Sequence, residues 1–229
     1  MPDDTLIASC RLVHDSMMLP THALAGMALA LPLVAVAPEF AAVALVAGLL
    51  GGVFPDLDMY AGHRKTLHFP VYYSLAAAVA TLAAVMTPTT ASIAAAFFLL
   101  GAALHCVTDV FGSGLELRPW EGNSERAVYD HYRGTWIAPR RLVRYDGSPG
   151  DLLASVTLSI PLFYALEGAL QWLVIAAVVV GVVYTALRRV LADLATVVVG
   201  FLPTGVLPYV PERYLEDLEG DRSRCVSSQ

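Results

Sequence analysis

Apolar runs of membrane-spanning length recur along this chain, parted by short polar turns and by one long polar interruption. Runs over about 21–37, 40–54, 67–86 and 91–111 precede a hydrophilic segment at 112–150, and runs over about 152–167 and 169–187 follow it. Most are about 17 to 22 residues long, the length at which a helix spans a bilayer core. Breakers fall between the runs. Pro20 suits a helix start, Pro32 marks a kink, and Pro38-Glu39 and Thr87-Pro88 make turns. Gly48, Gly51 and Gly52 in the second run allow close helix packing. Residues 192–210 are apolar but broken by Pro203, Gly205 and Pro208, which predicts an amphipathic or re-entrant segment rather than a clean span. The pattern predicts an all-α, polytopic helical membrane protein with about six spans plus that C-terminal segment. Residues 1–18 form an extension that does not conform, 19–190 the membrane domain, 191–210 the Pro-broken segment and 211–229 a polar, loose tail.

Composition supports this reading. Of 229 residues, 57% are hydrophobic, and the mean hydropathy of +0.62 exceeds that of an ordinary soluble domain. The first eighteen residues are mixed and acidic, so no secretory signal fits; Met17 and Met18, just before the first run, stand where a translation start would, and residues 1–16 are expected to be dispensable. Cys10, Cys106 and Cys225 form neither a disulfide framework nor a thiolate zinc site. A net charge of −6 argues against a nucleic-acid partner. Thirteen arginines stand against one lysine, a bias that fits a GC-rich, salt-adapted source or GC-rich coding alone. Arginine placement is one-sided. Arg11, Arg64, Lys65, six arginines between 118 and 144, and Arg188-Arg189 share one side of a six-span arrangement, while the turns near Pro38, Pro88 and Gly168 carry none. The positive-inside rule then predicts a multi-pass protein of the cell membrane with that side in the cytoplasm.

The same side collects the metal-ligand residue types. His22 precedes the first run, Asp56 and Asp58 close the second, His63 and His68 open the third, and His105 and Asp109 close the fourth. Antiparallel spans alternate direction, so these positions converge on one face, where ionisable groups are expensive and point to function. His105 and Asp109 share a helix face at i, i+4, and imidazole with carboxylate suits zinc first, then manganese or iron. Asp56 and Asp58 at i and i+2 face the same way if the backbone is extended, so both are expected to reach one centre. In His63-Arg64-Lys65-Thr66-Leu67-His68, a loop histidine and one on the next helix's first turn flank basic residues suited to a phosphate or a developing oxyanion. His14 and His131 are weaker candidates, His131 reading as solvated surface.

Thr21-His22, Pro55-Asp56-Leu57-Asp58, His63-Arg64 with His68, and His105 with Asp109 resemble the YdjM-type family of membrane-bound, metal-dependent hydrolases. That family is considered distantly similar to zinc-dependent phospholipase C and P1-type nucleases. The resemblance covers about 19–111, more weakly to about 163, and implicates His22, Asp56, Asp58, His63, His68, His105 and Asp109 as ligands. Lys65 and Leu67-His68-Phe69 depart from the family's usual Gly and Thr-His-Ser at those places. The expected chemistry is attack of a metal-activated water on a phosphoester or lipid-like ester, with Asp56 or Asp58 as base and Arg64 steadying charge. Seven candidates exceed one tetrahedral shell, so a multi-metal cluster or an outer layer of supporting residues is implied. Trp120, Tyr129, Tyr132, Trp136 and Arg140-Arg141 are expected at the headgroup level, with membrane lipids and a small-molecule or lipid substrate as partners. The alternative is a non-catalytic metal-binding scaffold or sensor. A transporter would need polar residues toward the far face. The motifs of vanadium-haloperoxidase-type lipid phosphatases and of CDP-alcohol phosphotransferases are absent.

Overall fold

The computed structural model describes residues 17–59, 62–203, 205–211 and 214–215. The expectations for residues 1–16, His14 included, and for most of the polar tail lie outside these. Among the described residues seven α-helices follow in order: α1 (Leu19–Leu29), α2 (Leu33–Val36), α3 (Pro38–Val53), α4 (Pro70–Met86), α5 (Thr90–Val110), α6 (Pro149–Ala165) and α7 (Gly168–Gly200). Proline sits in the first turn of α1, α3, α4 and α6, where its missing N–H leaves no bond unmade. Pro32 breaks the first apolar run into α1 and α2, as its fixed φ and lost donor require. Thr89 and Ser92 close a reciprocal cap at the start of α5.

Among the described residues, four stretches are long and apolar enough to cross a membrane: Leu19–Val36, Pro38–Asp58, Thr90–Val110 and Gly168–Gly200. This corrects the expected six. α4 and α6 have 17 residues each, about 25 Å of helix against a hydrocarbon core of about 30 Å, which puts them at the lower limit of spanning length and leaves a count of six unsupported. A second correction concerns α7, which runs 33 residues through Arg188-Arg189 instead of ending there. Nothing between 188 and 199 breaks a helix, and the first proline arrives only at Pro203. The expected separate segment at 192–210 is thus half helix, followed by a short 3₁₀ turn, Leu207–Tyr209.

The core lies away from the polar end. Leu24 and Met27 of α1, Leu45 of α3, Ile93 of α5, Leu162 of α6 and Val174 of α7 pack in one cluster. Valines and leucines on the outer faces of α4 and α7, such as Val79, Leu82, Val183 and Leu194, are exposed, as a lipid solvent allows. Glycine sets the spacing of α1 and α3: a Cβ on Gly52 would overlap the carbonyl oxygen of His22, so any side chain there forces the two helices apart. The 112–150 segment carries an antiparallel hairpin, β1 (Val128–Asp130) with β2 (Thr135–Ile137), in which Tyr129 pairs with Trp136. The hairpin is tied to the α3–α4 loop by the Tyr129 amide, which donates to the Arg64 carbonyl at 2.9 Å.

Candidate metal centre

Four elements deliver polar side chains to one point. Pro55 follows α3, and the chain tightens into a 3₁₀ turn, Phe54–Asp58, that carries both aspartates. Residues on a 3₁₀ turn advance about 120° each, so Asp56 and Asp58 diverge. The expectation that an extended backbone would aim both at one centre is therefore corrected. Asp56 faces the cluster; Asp58 points beneath the 63–68 loop. Gly62 and Arg64 shape that loop with left-handed backbones, φ +92° and +61°. His68 lies just before α4 rather than on its first turn. His105 and Asp109 stand one turn apart on α5, and His22 near the start of α1 stacks on the His105 ring at 3.9 Å between centroids.

Asp56, His68, His105 and Asp109 each present one ligand atom, all within 4.8 Å of one another. The Nε2 atoms of His68 and His105 are 3.2 Å apart. His68 Nε2 is 3.7 Å from Asp56 Oδ1 and 3.3 Å from Asp109 Oδ2. His105 Nε2 is 3.3 Å from Asp56 Oδ1 and 3.4 Å from Asp109 Oδ2. A tetrahedral centre with metal–ligand lengths of about 2.0–2.1 Å has edges of about 3.3–3.4 Å, so the spacing fits a single ion.

The tautomers sharpen the argument. His105 Nδ1 donates to the Gly52 carbonyl at 2.6 Å, and His68 Nδ1 donates to Asp58 Oδ2 at 3.0 Å. Both acceptors lack protons, so each neutral ring carries its lone pair on Nε2, and the two lone pairs face each other across 3.2 Å. Only a proton or a cation between them relieves this. Asp109 Oδ2, at the same point, has no hydrogen-bond partner although buried, and neither do the nearby His22 Nε2 and Arg64 Nε. Buried polar atoms are normally satisfied. Burial disfavours the charged form of His68, but the Asp109 carboxylate beside it and its hydrogen bond to Asp58 outweigh this and hold its pKa above the ordinary 6.5.

The remaining sequence candidates surround these four. Asp58 accepts four N–H groups: His63 Nδ1 and the Arg64 amide on Oδ1, His68 Nδ1 and the Leu67 amide on Oδ2. Both its oxygens are committed, and its work is to orient the two imidazoles. His63 Nδ1 stands 3.9 Å from Asp56 Oδ1. His22 Nε2 lies 3.1 Å from Asp109 Oδ1, and its Nδ1 lies 3.3 Å from Thr108 Oγ1, so it flanks Asp109 from behind. Arg64 is 5% exposed. Its NH1 donates to the Ser113 carbonyl at 2.7 Å, and its Nε sits 3.8 Å from Asp109 Oδ2. His131 is elsewhere, its Nε2 donating to the Lys65 carbonyl at 2.6 Å and its ring against Phe69.

A cavity of about 330 Å³ adjoins the cluster, with Asp56, His63, Arg64 and Asp109 on its polar side. Two of its residues, Asp146 and Tyr184, were not singled out in the sequence, and Arg188 beside them was read only as part of the basic side. The Tyr184 hydroxyl donates to Asp146 Oδ2, as does Arg188 Nε at 3.0 Å, and Arg188 also reaches the Leu117 carbonyl at 3.2 Å. A buried arginine late in an apolar run was the available signal, masked by reading it as the end of a span. Asp151 was missed too. It accepts from the Met18 amide at 2.6 Å, from Thr21 Oγ1 at 2.5 Å and from the Gly147 amide at 3.0 Å, pinning the start of α1 to α6. Ser148 and Asp151 match the spacing of a helix N-cap motif, and Ser148 Oγ does accept from the Asp151 amide.

No family model, no curated protein and no solved structure matches the chain. What the described residues show by themselves is a helical protein with four candidate membrane spans and a His/Asp cluster that could hold a metal ion.

Proposed function

We propose that the chain is a membrane-embedded, metal-dependent hydrolase acting on a phosphoester or lipid-like ester at the cytoplasmic face, with zinc as its metal. The carrying observation is that two facing imidazole lone pairs and two carboxylates converge beside a cavity that Asp56 and Asp109 line. The resemblance to the YdjM-type family supports the same reading. A bound ion would supply Lewis-acid activation of a water or ester oxygen. Asp56, His68, His105 and Asp109 would hold it. Asp58 and the Gly52 carbonyl fix the two ligand rings. Asp58 also orients His63, which lines the cavity where a leaving group would need a proton. Arg64 lines the same cavity and meets charge developing on the ester.

One observation favours a second reading, a metal-binding scaffold. Four protein ligands close a tetrahedral shell, as structural zinc sites do, whereas catalytic sites keep a position open. Two measurements separate them. Elemental analysis of the wild type against a His68→Ala, His105→Ala double variant should show metal in the first and little in the second; near-zero metal in both refutes the site. Phospholipid and phosphodiester turnover by the metal-loaded protein should then fall about 100-fold in Arg64→Ala with metal retained. Absence of turnover from fully loaded wild type decides for the scaffold.

A further inference from the structure

The cavity beside the cluster has two unlike sides. Its polar floor includes Asp56, His63, Arg64, Asp109 and Asp146, and its apolar rim includes Leu19, Met59 and Val180. The rim residues are also exposed on the outer surface, Leu19 at 39%, Met59 at 37% and Val180 at 56%. The mouth therefore lies at the seam between the start of α1 and the middle of α7. The two helices meet there closely: a Cβ on Gly181 would come within 3.1 Å of the Met18 methyl.

Helix geometry sets the depth of this mouth. At 1.5 Å per residue from the turn at Gly168, Val180 stands about 18 Å along α7 and Arg188 about 30 Å. A hydrocarbon layer is about 30 Å thick, so with Gly168 at one boundary Arg188 marks the other. Arg188 is the residue that Asp146 and the Leu117 carbonyl hold. Val180 then lies within the acyl region, while the Asp146–Arg188 pair lies at its edge. A volume of 330 Å³ equals about eleven waters at roughly 30 Å³ each, room for a headgroup and a few methylenes but not for a long chain.

We infer that the ligand of this site is a membrane amphiphile bound head-in and tail-out. Its phosphate ester sits on the polar floor, and its aliphatic chain leaves across Val180 and Leu19 into the bilayer. The identity of the head rests on the hydrolase reading; the route for the tail rests on the cavity alone.

The experiment uses the full chain, metal-loaded, in phosphatidylcholine nanodiscs containing a small share of phosphatidic acid with a diazirine near the head end of one chain. After illumination, peptides are mapped for label, and phosphatidic acid turnover is measured in parallel. Label should concentrate on Leu19 and Val180 over Val183 and Leu187, which are comparably exposed in the same part of α7 but do not line the cavity. Val180→Trp should lower the label at Leu19 severalfold with metal content unchanged; Leu19→Trp serves as the second variant, read at Val180, if the first folds poorly. Label spread evenly over α7, or unmoved by either tryptophan, overturns the inference whatever the turnover. Focused label without turnover of any ester leaves the seam standing and overturns the hydrolase reading instead.

Discussion

Asp58→Asn tests whether Asp58 binds the metal or positions those groups that do. The carboxylate accepts four N–H bonds, two on each oxygen, from His63, Arg64, Leu67 and His68. An amide keeps the shape but turns one oxygen into a donor, so two of the four bonds are lost and a donor then faces donors. If Oδ2 becomes the nitrogen, His68 loses the acceptor that fixes its tautomer. Outer-layer changes of this kind typically weaken metal affinity 10- to 100-fold, which is about 1.4–2.7 kcal/mol. The four atoms at the centre are untouched, so saturating metal should still load the variant to the wild-type stoichiometry. Competition titration against a chromogenic chelator gives the affinity, and elemental analysis at saturation gives the stoichiometry. Asp56→Ala, which removes a converging atom, is the comparison and should fail to load. Wild-type affinity in Asp58→Asn would falsify the positioning role, and failure to load at any metal concentration would make Asp58 a ligand.

Three further outcomes follow from the same geometry. Because the neighbouring carboxylates raise the pKa of His68 above its ordinary 6.5, metal competes with a proton there, and apparent affinity should fall up to tenfold per unit of pH lowered while one proton is exchanged. The sign for the metal-free protein is opposite: the His68 imidazolium contributes stability below its ordinary pKa of 6.5, and this is lost as pH rises through the folded value, so metal should raise Tm more at pH 9 than at pH 6; an equal rise refutes this. Gly52→Ala drives a methyl into the His22 carbonyl and displaces the acceptor of His105; it should cost about 1–3 kcal/mol of stability and weaken metal binding, and wild-type values in both thermal unfolding and titration would refute the packing argument. A cysteine at Ser124, in a background without native cysteines, should resist impermeant label in intact cells, and ready labelling from outside would reverse the proposed orientation.

Local chemistry made much of this protein legible in its sequence. Hydropathy marked the apolar runs, and proline placed most of their ends: Pro38 opens α3, Pro70 opens α4 and Pro32 splits the first run. Both effects act within a few residues of where they are written. The alternation of antiparallel helices was enough to put His22, Asp56, His68, His105 and Asp109 at one end of the bundle, since which end a residue occupies depends only on its place in its run. What each residue does there was decided by tertiary structure. The 3₁₀ turn parts Asp56 from Asp58 by rotation about the backbone axis, a distinction invisible to i, i+2 spacing read on an extended strand. The pairing of His105 with the Gly52 carbonyl joins positions 53 residues apart, and that of Arg188 with Asp146 spans 42. No periodicity encodes such contacts. The length of α7 also escaped the hydropathy pattern, because two arginines look like a membrane boundary, yet a helix ends only where its backbone hydrogen bonds are interrupted, and that does not happen before Gly200. Hydrophobic pattern selects the end of the bundle at which the polar groups gather; directions and distances of a few ångströms, set by packing, select which of them meet.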